Sequence, residues 1–206
     1  MQSVAPMLDR LDAETRAFHV EADHPWLSLM TPTVTPGRYA EELMRTYGFE
    51  TSVEAALAYS RPLHHILEVP RVTRSGLIAQ DLITLGFGAG HVARLPQCHT
   101  ITPFSTVAEA FGWTYVIERP TLLHDALYKH LSVQLKPGSA FSYLEISRRS
   151  AAARWKALDT ALDEFARTRE LADRIVEAAR AGFQTLLQWR REWDDGLARR
   201  AGAAPR

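Results

Sequence analysis

Glu14-Thr15-Arg16-Ala17-Phe18-His19-Val20-Glu21-Ala22-Asp23 decides the class of the fold, because its polar and apolar residues recur at helical rather than strand spacing. Extended toward the N-terminus, Leu8, Leu11, Thr15, Phe18 and Ala22 follow three- and four-residue steps and form one helix face. His19 falls on that inward face, and Arg16 flanks it one turn earlier. The helix is expected to end before Pro25, since proline cannot donate a backbone hydrogen bond.

The same period runs through the rest of the chain. Thr35 as N-cap and Pro36 at the first helical position open a second helix, which reaches about Tyr59 and buries Tyr39, Leu43, Tyr47, Val53 and Leu57. Ser75 to Leu85 reads as a third helix closed by Gly86, and residues 86–105 read as loop. Thr106 and Glu109 form a capping box for a fourth helix through about Leu131, kinked at Pro120. A Pro137-Gly138 turn and a short segment around Tyr143 lead to two C-terminal helices, roughly 150–166 and 169–195. No alternating strand or internal repeat interrupts the pattern. The expected fold is an all-α, single-domain bundle of six to seven helices over residues 1–195, with 196–206 as a disordered tail.

Composition narrows the function. Lys plus Arg and Asp plus Glu number 24 each, so no global basic field is available to hold nucleic acid. The single cysteine, Cys98, excludes an intramolecular disulfide and any thiolate cluster. No run of about 18 apolar residues could span a membrane, and no signal peptide precedes Leu11, so a cytoplasmic location is expected. Phosphate-binding Gly-rich loops, the Gly-x-Ser-x-Gly elbow and His-Glu-x-x-His are all missing. His19 with Arg16 is left as the pair with chemical interest. An inward imidazole beside a guanidinium suits haem, the nitrogen ligating iron and the cation meeting a propionate. A core histidine with a hydrogen-bond partner explains the same spacing.

Four stretches, taken in order, resemble the haem oxygenase family. Glu14 to Asp23 is similar to its first helix, which carries the proximal histidine. Gln80-Asp81-Leu82-Ile83-Thr84-Leu85-Gly86 resembles its Asp-Leu-x-x-Leu-Gly segment. Tyr115-Val116-Ile117-Glu118 is similar to the start of its distal helix, and Arg154-Trp155-Lys156 to a later helix that contacts propionates. The resemblance spans about residues 8 to 190. It implies a haem oxygenase-like helical bundle, with His19 as proximal iron ligand and Arg16 as propionate partner. Lys156 and Tyr143 would stand at the haem edge. It also implies oxidative opening of haem to biliverdin, carbon monoxide and iron, with electrons from an external reductase or ferredoxin-type donor.

The distal helix departs from the family. Where relatives carry glycines that let the backbone approach haem and oxygen, this chain has Arg119, Leu123 and His124. Leu123 and His124 would fill the oxygen site, or His124 would serve as a second axial ligand opposite His19. Three alternatives to an active oxygenase follow. One is a non-catalytic haem-binding or regulatory pseudo-oxygenase with a blocked or His-ligated distal side. Another is a non-haem iron oxidase drawing on Glu21, His24, Glu118, His124, Asp125 and His130. The last is a scaffold without cofactor.

Overall fold

A computed structural model describes residues 6–60, 73–135 and 140–202, with side chains described through residue 196. Among these residues every regular element is helical. They are α1 (Met7–Leu27), α2 (Pro36–Tyr59), α3 (Arg74–Thr84), the four-residue α4 (Ala89–Val92) and α5 (Val107–Glu118). A 3-10 segment (Arg119–Leu123), α6 (His124–Gln134), α7 (Ser142–Phe165) and α8 (Arg169–Gly202) complete the order. No helix among them is long and apolar enough to cross a membrane.

Local chemistry accounts for several boundaries. Thr35 accepts the Arg38 N–H with Pro36 at the first helical position. Thr106 and Glu109 form the reciprocal capping box at the start of α5. Gly86, with φ of 99°, closes α3 in a left-handed conformation that only glycine adopts without strain.

Other boundaries correct the expectation. Pro25 lies inside α1, which continues to Leu27. Proline there removes one hydrogen bond in the last turn, and Ser28 N–H still reaches the His24 carbonyl at 2.8 Å. The stretch expected as loop contains α4. The kink expected at Pro120 is a five-residue 3-10 segment that separates two helices. α7 begins at Ser142 rather than near 150, because Asp81 on α3 accepts the backbone N–H of both Ser142 and Tyr143 at 2.9 Å. That cap comes from another helix, so no local signal announces it. α8 runs to Gly202, beyond the 195 expected, so the first part of the expected tail is helical. Pro137-Gly138 and residues 203–206 lie outside the described residues.

α8 packs against α5 and α1, α2 against α3, and α7 against α6 and α3. The α5–α8 seam is close: a Cβ at Gly112 would lie 2.6 Å from both the Ala179 nitrogen and the Ile175 oxygen. Glycine is required there by space, and it fixes α5 at one height along α8. α5 and the 3-10 segment thereby stand opposite α1, with a slot between them.

Candidate functional site

The slot is lined on one side by Thr15, His19, Asp23 and Trp26 of α1, placed at four- and three-residue steps. His19 is buried, with its ring 5.5 Å from that of Phe183. Its Nε2 lies 2.9 Å from Thr15 Oγ1, and Thr15 donates its own hydroxyl proton to the Leu11 carbonyl at 2.7 Å. His19 Nδ1 faces Asp12 Oδ1 at 3.7 Å. Both ring nitrogens of His19 are therefore engaged by its own helix, Nε2 by the Thr15 hydroxyl and Nδ1 by Asp12. Burial, followed by the nearby Arg119 charge, holds the imidazole below its ordinary pKa.

The opposite wall reaches across. Tyr115 of α5 is buried, with its ring edge-on to Phe183, the same ring that meets His19. Arg119 Nη1 donates to both carboxylate oxygens of Asp23, at 2.6 and 2.7 Å. Beyond this pair Trp26, His124 and Tyr143 pack ring against ring, with centroids 4.9–6.1 Å apart and all three essentially without solvent exposure. A cavity lined by Trp26, Phe49, Glu50, Ile117, Pro120 and Arg190, among others, measures about 20 Å³. That is room for one water.

Deeper in the bundle lies an ionic cluster that sequence reasoning missed. Arg74 of α3 pairs with Glu50 of α2 at 3.3 Å and stands 3.6 Å from Glu118, which pairs with Arg154 of α7. Tyr143 donates its hydroxyl to Glu50 at 2.8 Å. Burial pushes the Glu50 carboxyl up to about 7. His124 is fully buried beside this cluster, and burial, then Arg74 and Arg154, pushes its pKa down to about 3. The imidazole is neutral, with neither nitrogen hydrogen-bonded to a described residue. The Arg154-Trp155 motif thus braces the distal wall: Arg154 holds Glu118, and Trp155 Nε1 donates to Thr121 at 3.1 Å.

The remaining expected residues scatter. Arg16 is 74% exposed and pairs with Asp12 at 3.2 Å, away from the slot. Lys156 is exposed on α7 and Leu123 is half-buried. Tyr143 points into the ionic cluster rather than at an edge. His124 contacts Trp26, seven residues and therefore about 10 Å along α1 from His19. The iron-oxidase residues also diverge: Glu118 is held by Arg154, Asp125 by Lys129 and Arg148, and His130 meets the Thr31 carbonyl. Among the described residues no three His, Cys, Asp or Glu side chains converge as a metal site. Asp23 and Trp26 continue the buried face of α1, and that periodicity was the available sign of both.

The family model for Heme oxygenase matches residues 5–192. The chain belongs to the haem oxygenase family. A crystal structure of the NO- and CO-bound haem oxygenase from Neisseria meningitidis is similar in fold, with a TM-score of 0.72 and 22% identity over 92% of each chain. No curated protein matches the chain.

Membership implies haem as the ligand of a haem oxygenase, and the side chains of this one can be tested against it. A proximal ligand needs a ring nitrogen free to face the iron, yet both nitrogens of His19 are occupied by the protein, Nε2 by Thr15 at 2.9 Å and Nδ1 by Asp12 at 3.7 Å. A haem also needs open space beside His19, and there Arg119 and Asp23 are joined across the slot while Trp26, His124 and Tyr143 pack on one another essentially without exposure. In this arrangement the residues of the slot do not fit a haem.

Proposed function

We propose that this chain is a non-catalytic member of the haem oxygenase family, a pseudo-oxygenase that keeps the scaffold without the oxidative opening of haem. The observation that carries the reading is the filling of the slot by Trp26, His124 and Tyr143, packed ring on ring essentially without exposure, with Arg119 and Asp23 joined beside them. An oxygenase needs iron on one side of that slot and oxygen on the other, and Arg119 stands between them. Leu123 and His124 add bulk where the family sequence has glycines. A six-coordinate haem between His19 and His124 has less support, given the spacing of the two rings along α1. The role left to such a scaffold is regulatory, exercised by binding, in the cytoplasm expected from the sequence. An external electron donor has no part in it.

Turnover tests the reading. The purified protein would be mixed with haemin, a reductase or ferredoxin-type donor and oxygen, while absorption and carbon monoxide release are followed. The expected outcome is no biliverdin and no carbon monoxide. Stoichiometric formation of both would overturn the proposal.

A further inference from the structure

We infer that the Asp23–Arg119 ion pair is an internal latch that excludes haem, with Arg119 as the residue that determines this specificity. The inference rests on the closed-slot reading and adds to it the group that does the closing. Asp23 lies one turn beyond His19 on α1, so the pair stands beside the imidazole, in the space between the two walls. Both oxygens of Asp23 are bound to one guanidinium nitrogen, and the two side chains are 13% and 14% exposed. Such a pair is charge-assisted and directional. It differs in kind from the rest of the plug, since Trp26, Tyr143 and His124 fill space, whereas Arg119 ties one wall to the other. Opening the slot therefore requires separating two nearly buried charges, which is costly unless both are removed together.

Paired substitutions test the latch. Arg119→Gly with Asp23→Asn removes the guanidinium and the charge it would strand, and Arg119→Lys keeps a cation. Each protein would be titrated with haemin, with helicity followed in the far ultraviolet. The double variant is expected to bind haemin at least about tenfold tighter than the unmodified protein, through a band abolished by His19→Ala. Arg119→Lys is expected to keep haemin out. Arg119→Gln with Asp23→Asn, which keeps most of the volume and strands no charge, provides a second folded variant that should also admit haemin once the ion pair is gone. Tight one-to-one binding by the unmodified protein through His19 would overturn the closed-slot reading itself. No gain in a folded double variant, with tight binding appearing only after Leu123→Gly and His124→Gly, would overturn the latch and leave that reading standing. No gain in the folded neutral pair Arg119→Gln with Asp23→Asn would also overturn the latch, whether or not the glycine double variant folds.

Discussion

α1 and the stretch from Val107 to Gln134 face each other across one slot, yet the first is a single helix and the second is broken into α5, a 3-10 segment and α6. α1 carries His19, the inward period and the carboxylate of Asp23 four residues on. The opposite wall presents Arg119, Leu123 and His124, side chains that take up space in the turn. The bundle survives because Gly112 still seats α5 on α8, and because Arg154 and Trp155 brace the turn from behind. The contrast teaches that seams which hold a helix in place can persist while the face it presents to a ligand is refilled.

The largest expected effect lies on the distal wall. The unfolded chain protonates His124 near pH 6.5, whereas the folded chain resists until about pH 3, so stability falls as the pH drops through that window. A displacement of this size corresponds to about 5 kcal/mol in acid, at about 1.4 kcal/mol per pH unit. Glu50 pulls the other way: its contribution is fully present below pH 4.5 and lost as the pH rises through about 7. Denaturant titrations of His124→Phe should lose the acid slope and reveal the Glu50 slope, with stability declining between pH 4.5 and 7. An acid slope unchanged in that variant would place the titrating group elsewhere.

On the α1 side, Trp26→Ala should cost about 3–5 kcal/mol by denaturant unfolding, as large-to-small changes in packed cores do. A cost under about 1 kcal/mol would mean the slot collapses or was never tightly filled. Thr15→Val should cost about 1 kcal/mol, the worth of its buried hydrogen bonds, and should shift the ring-nitrogen NMR signals of His19 by removing the partner of its Nε2. Arg16→Ala and Lys156→Ala should each change stability by less than about 0.5 kcal/mol, because both side chains are exposed. A larger loss from Arg16→Ala would restore it to the slot.

Legibility followed the same division. Periodicity, Thr35, Thr106 and Gly86 announced helices whose signals are carried by neighbouring residues. The start of α7 was not legible, because its cap, Asp81, is contributed by another helix. For the site, the sequence marked His19, His124 and the lost glycines, and it could not pair them. Arg119 reads as an obstacle in the sequence. Only the meeting of two walls, 96 positions apart in the chain, makes it a bridge to Asp23. Glu50, Arg74 and Glu118 lie on three helices and share no local spacing, so their cluster was invisible until the helices were assembled.

The central claim is that this slot is filled by the protein's own side chains. Titration of the unmodified protein with haemin, followed in the Soret region alongside His19→Ala, tests it most directly. The account predicts no band that saturates at one equivalent and no difference between the two proteins. A one-equivalent complex with a histidine-type spectrum, lost in His19→Ala, would contradict it.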